Sequence, residues 1–248
     1  MFELDKTPAC CGGLSVSSDV EPRYRGVTRA KARIVQELTA ELAMSDAAHR
    51  GAEPGRLLGF DGMLHAIDAI EHDDRLRDAA ATHIHDLWSE SYFERSGGNA
   101  DGAAHTEPFN PSMLKPYAAF NDEEREFELF VLLGDLRSLR ALVATERARL
   151  ASGTAGELHS RPRKAAVTTT LSLADNRGFV STLARPAYDN WRSAMRLRAP
   201  ATLVPSFDSL DRAGHNTALL NTRTDLLGFA LFIHLETDLL KTPTPGPA

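Results

Sequence analysis

The stretch Thr222–Lys241, TRTDLLGFALFIHLETDLLK, decides the fold. From Leu226 to Leu235 nearly every residue is apolar, so a helix here is buried on most sides. The apolar run is about ten residues long, too short to cross a bilayer. It therefore reads as the central rod of an all-α protein. His234 interrupts the run, and Glu236 and Asp238 follow it.

The rest of the chain fits one helical domain built around that rod. It has 248 residues, 42% hydrophobic and 25% charged, which is ordinary globular material with enough length for a sizeable core. We expect an irregular N-terminal arm over 1–25, a single multi-helix, bundle-like domain over 26–241 and a tail over 242–248. The formal net charge of -6 implies no general affinity for nucleic acid. The opening MFELDK carries early acids and no apolar core of a leader, and Cys10 and Cys11 are adjacent and ill-placed to bridge each other. A cytoplasmic location without membrane contact is the expectation. No P-loop and no G-x-G-x-x-G occurs.

Helices are expected over Thr28–Met44, Pro54–His72, a third continuing to Glu94, and Asp122–Leu150. Thr28 can cap the first, with Ile34, Leu38 and Leu42 on one stripe. Glu37 and Glu41 share a face beside that stripe, where solvent is their natural setting. Gly134 in the fourth helix costs about 1 kcal/mol against Ala. Such a glycine admits another helix or a flat cofactor. Residues 95–121 form a long, lid-like loop whose Phe109, Met113, Tyr117 and Phe120 need somewhere to pack. Residues 165–184 fit either a short hairpin around the NRG turn or an interrupted helix. Pro186 is expected to open a helix through Arg198, and Asp208 or Ser209 to cap the last section.

Histidines carry the functional reading. Leu76, Ala80, His83 and Leu87 share a stripe, so His83 points inward over small residues, with His85 near the opposite face. An inward imidazole beside alanines suits a pocket, and suits a hydrogen-bonded core histidine as well. His65, Asp68 and His72 share one helix face at metal-ligand spacing, on the side away from Met63 and Ile67. His215 and His234 lie 19 residues apart, roughly 28 Å on one helix, so they cannot share an ion.

The run THIHDLW at 82–88 resembles the distal helix of tryptophan 2,3-dioxygenase-like heme enzymes, where a histidine precedes an ELW-type triplet. That histidine's position falls on Thr82, with His83 one place on. The family's glycine-rich loop and arginine motifs are absent. Residues 73–78, DDRLRD, resemble the DDxxxD of class I terpene synthases, where carboxylates hold the Mg2+ of a diphosphate. A helix start enriched in acids explains the same run.

Three functions follow as expectations. The first is an iron-dependent, heme-type oxygenase, an oxidoreductase acting on a small aromatic or amino-acid-like metabolite. There His234 would bind the metal and His83 would be the catalytic residue. Trp88, Tyr188 and Trp191 would wall the substrate, and Arg192 or Arg223 would hold its carboxylate. His215, or His65 with Asp68 and His72, are the alternative metal ligands, the latter for non-heme iron. The second is a non-catalytic regulatory or interaction protein. The third is a Mg2+-dependent enzyme on an isoprenoid diphosphate. A small-molecule partner is expected, and a homo-oligomer is left open.

Overall fold

The computed structural model describes residues 20–49, 53–95, 115–151, 162–198 and 204–236. Among them are seven α-helices and no strand: α1 (Val20–His49), α2 (Glu53–His72), α3 (Asp74–Arg95), α4 (Asp122–Ala151), α5 (Pro162–Asp175), α6 (Arg177–Arg198) and α7 (Arg212–Leu235). The helices pack as one bundle-like arrangement, and the expectation of an all-α architecture holds. Among the described residues, no helix is long and apolar enough to cross a membrane.

Short polar side chains start several of these helices. Asp73 Oδ1 accepts from the backbone N–H groups of Arg75 (2.9 Å) and Leu76 (3.2 Å), and so caps α3. At the start of α4, Asn121 Oδ1 accepts from Glu124 N–H while Glu124 Oε2 accepts from Asn121 N–H, both at 2.9 Å. That reciprocal pair satisfies two orphan donors at once. Asn176 Oδ1 accepts from Phe179 N–H (3.1 Å) and opens α6. The NRG turn therefore joins two helices, which resolves 165–184 in favour of the interrupted helix. Thr170 is fully buried and returns its hydroxyl to the Ala166 carbonyl (2.8 Å), so burial outweighs the β-branched preference for strand.

Four boundaries differ from expectation. Helix α1 begins at Val20, inside the expected arm. Pro186 sits inside α6 rather than at its start. The missing N–H weakens one turn, and burial of Phe179, Val180, Leu183, Ala184 and Ala187 keeps the helix continuous across it. Asp211, not Asp208 or Ser209, caps α7 by accepting from Gly214 N–H (2.7 Å). The chain first makes a short 3-10 turn at Phe207–Ser209, and Asp208 pairs with Arg185. Finally, α7 closes at Leu235, with Glu236 already non-helical. Cys10, Cys11, Phe109, Met113, His159 and the expected tail lie outside the described residues.

Helix α7 is the rod the sequence promised. Leu226 and Gly228–Ile233 are all buried, and the helix packs against α3, α5, α6 and α1. The core continues through Phe60, Met63, Ile67 and Ile70 of α2. Glycines set the closest helix crossings. A Cβ at Gly228 would lie 2.7 Å from the Ile84 Cα, and one at Gly59 would lie 2.7 Å from the Ala165 carbonyl oxygen. These contacts seat α7 on α3 and α2 on α5. At Gly134 the neighbour is the Asn190 side chain, 2.8 Å from such a Cβ, so α6 occupies the space that glycine leaves.

Candidate functional site

Helices α3, α4, α6 and α7 line a partly open cavity of about 530 Å3. This is within the size range of small-molecule sites. Its wall is mostly apolar: Val131, Leu132, Leu136 and Leu139 from α4, Leu183 and Ala187 from α6, and Leu226 and Phe229 from α7. Aromatic rings add to it, with Trp88, Phe127, Tyr188 and Trp191 all facing in. Tyr188 and Trp191 lie 5.4 Å apart between ring centres, and the Tyr188 hydroxyl donates to the Pro205 carbonyl at 3.2 Å. Among the described residues, four acids share this wall with one base: Glu123, Glu128, Asp135 and Asp225 against Arg198.

Among the described residues, two of those acids, Asp135 and Asp225, stand in the cavity without an ion-pair partner. Arg198 is held at one side, 3.7 Å from Glu123 and over the Phe127 ring at 5.3 Å. Asp225 comes from α7, and among the described residues no hydrogen bond reaches its carboxyl. Asp135 receives one from the Asn190 amide at 3.0 Å. Part of each aspartate's surface faces the cavity, while protein closes around them on the other sides. Burial pushes the Asp225 carboxyl up to about 7, with Glu128 adding to the rise and Arg95 opposing it. Burial, then Asp225, hold the Asp135 carboxyl well above its ordinary range, against the Asn190 hydrogen bond.

Glu128 is different because a histidine stands behind it. His85 is 1% exposed, and its Nε2 lies 2.9 Å from the Lys115 carbonyl oxygen, which can only accept. That fixes the proton on Nε2 and turns Nδ1 toward Glu128 Oε1 at 3.2 Å. Burial works against charge on this ring, but Glu128 and the Lys115 carbonyl outweigh it and hold the imidazole above its ordinary value. Phe120 meets the ring edge-on at 4.6 Å and Trp88 lies 5.8 Å away. Next to it, Asp86 accepts from Lys31 across the α1–α3 contact and from Tyr117 N–H at 3.4 Å.

Of the residues singled out from sequence, the cavity gathers Trp88, Tyr188 and Trp191 and no histidine. His83 reaches Glu236 at 3.4 Å beyond the end of α7, and its Nδ1 has no partner among the described residues. Burial, then Lys31, lower this imidazole, against Glu236. His234 is half-buried in the last turn of α7, lowered by burial and by Arg163. Arg192 donates to the Val204 carbonyl (3.1 Å) and Arg223 to Asp175 (2.8 Å), so both brace the ends of helices. His215 meets Phe207 edge-on at 4.9 Å and its ring bonds the Asp211 carbonyl.

The other sequence candidates have structural partners. His65 is exposed, Asp68 pairs with Arg140 (2.5 Å), and the His72 ring bonds the Asp68 carbonyl (2.7 Å). In the DDRLRD run, Asp73 caps α3, Asp74 pairs with Arg77 (2.6 Å) and Asp78 accepts from the Tyr117 hydroxyl (3.0 Å). Glu37 is exposed and pairs with Arg33. Among the described residues, no group of three or more His, Cys, Asp or Glu side chains is arranged to hold a metal ion.

Glu128, Asp135 and Asp225 were not singled out from sequence, although each leaves a trace there. Asp135 interrupts an apolar run in VLLGDL (131–136), and Asp225 stands immediately before the long one, in TDLLGF (224–229). A carboxylate set inside an apolar stripe is the signal of an enclosed acid. No protein-family model, curated protein or solved structure matches the chain.

Proposed function

We propose that the protein binds a small organic cation, a protonated amine with an apolar or aromatic body, in the cavity between α3, α4, α6 and α7. The observation that carries this reading is Asp225: an enclosed carboxyl facing an apolar, aromatic-walled space, with no hydrogen bond among the described residues. Burial in that setting disfavours the carboxylate, water reaching the cavity relieves only part of the cost, and an ammonium group supplies both charge and N–H donors. Glu128, backed by His85, gives the cation a second acceptor. The rings of Trp88 and Trp191 suit the organic body and, where the charge meets a ring face, add cation–π attraction of about 0.5–2 kcal/mol.

The oxygenase expected from sequence draws its support from the same aromatic wall. Its chosen axial histidine, His234, and its catalytic histidine, His83, do not line the cavity, so these residues do not fit a heme seated there. A Soret band lost on His234→Ala would favour the oxygenase over the amine reading.

The test compares three ligands of one shape by titration calorimetry at pH 7: 2-phenylethylamine, 2-phenylethanol and 3-phenylpropionate. The expected order places the amine at least tenfold ahead of the alcohol, with the carboxylate weakest. Equal binding of amine and alcohol would overturn the reading.

A further inference from the structure

The acids of the cavity are spread along its wall. Glu128 and Asp135 both belong to α4 and are seven residues apart. Seven residues make almost two full turns, so both lie on one face, separated by about 10 Å of helical rise. Between them the same face presents Val131 and Leu132 to the cavity. The strip therefore reads acid, apolar, acid along its length. Asp225 contributes a third carboxyl from α7 on another wall.

The two ends of the strip are also braced separately. Behind Glu128 stands His85, whose ring is itself fixed by the Lys115 carbonyl. Asp135 is held by the Asn190 amide, which approaches Ser138 Oγ as well (3.4 Å). Both residues, so braced, line the cavity. Arg198, the guanidinium of the wall among the described residues, is held by Glu123 and Phe127. A ligand with a single ammonium can neutralise one end of the strip and leaves the other end facing apolar side chains.

We propose that the ligand is a linear dication, a diamine or polyamine whose two ammonium groups sit about two helical turns apart, one at Glu128 and one at Asp135, with its methylene chain along Val131 and Leu132. This inference rests on the amine-binding reading and adds the number and spacing of the charges. The aromatic rings then flank an aliphatic chain, and Asp225 adds negative charge from another wall.

Titration calorimetry on the full-length protein at pH 7, with α,ω-diaminoalkanes of increasing length, tests it. Monoamines and α,ω-diols of the same lengths are the controls. The expected result is an affinity optimum for the diamine whose nitrogens are about 10 Å apart, at least tenfold above the matched monoamine. Shorter diamines lose that advantage, and Asp135→Asn abolishes it. Diamines and monoamines binding alike at every length would overturn the dication and leave the amine reading standing. Failure of every amine to bind better than its neutral control would overturn both. The ligand series uses the unmodified protein, so a misfolded Asp135→Asn variant would not rescue the proposal.

Discussion

Replacing Asp225 by Asn separates binding from stability. The Asp225 carboxyl has an ordinary value of 3.8 and stands at about 7 in the folded protein. Between those values the folded chain holds a proton that the unfolded chain has released. Stability from this group is thus highest at low pH, falls as pH rises through the window from roughly 4 to 7, and carries its full penalty above it. At about 1.4 kcal/mol per pH unit, the penalty comes to about 4 kcal/mol. That figure is a ceiling, because water entering the cavity relieves part of it. Asparagine keeps the shape and cannot ionise. Urea denaturation at pH 4.5 and pH 8 should show Asp225→Asn close to the parent at the lower pH and a few kcal/mol more stable at the higher. The same variant should lose amine affinity at least tenfold. An unchanged midpoint at pH 8, or a loss of stability there, would refute the assignment of Asp225 as an enclosed, unmatched acid.

Further outcomes follow from the packing. Gly228→Ala sets a Cβ 2.7 Å from the Ile84 Cα, so thermal denaturation should show a net loss of about 1–3 kcal/mol despite the gain in helix propensity. Gly134→Ala sets a Cβ whose nearest neighbours are atoms of the Asn190 side chain, Cγ at 2.8 Å and Cβ at 3.1 Å. It should cost little stability in the same assay, but weaken amine binding as Asn190 turns away from Asp135. Lys31→Met leaves the buried Asp86 carboxylate without its cation and should destabilise the fold by about 3 kcal/mol in chemical denaturation. Trp191→Ala widens the cavity and should weaken an aromatic amine more than a linear one, read by calorimetry.

The fold was legible because the apolar run of α7 is unambiguous and the helices around it carry ordinary periodic stripes. The segment at 165–184 was not, since Thr168–Thr170 favour strand locally and only burial against neighbouring helices settles them as α5. The site was legible in its aromatic part: Trp88, Tyr188 and Trp191 were read as walls and do line the cavity. Its charged part was not. His85 is buried by Phe120 and Tyr117, which come from a segment more than thirty residues downstream, and no helical wheel of α3 shows that cover. Asp135 and Asp225 are conspicuous only once α4 and α7 are known to face the same space. Histidines stand on apolar stripes as well, and among the described residues it is acids, not histidines, that line the cavity.

The most direct measurement is calorimetric titration of wild-type protein with 2-phenylethylamine at pH 7 in two buffers of different ionisation enthalpy. A carboxyl at about 7 is roughly half protonated there, and an arriving ammonium should expel that proton. The observed heat should differ between buffers by a fraction of a proton released, and that difference should be lost in Asp225→Asn. Binding with the same heat in both buffers, or no binding beyond that of the neutral alcohol, would contradict the amine reading.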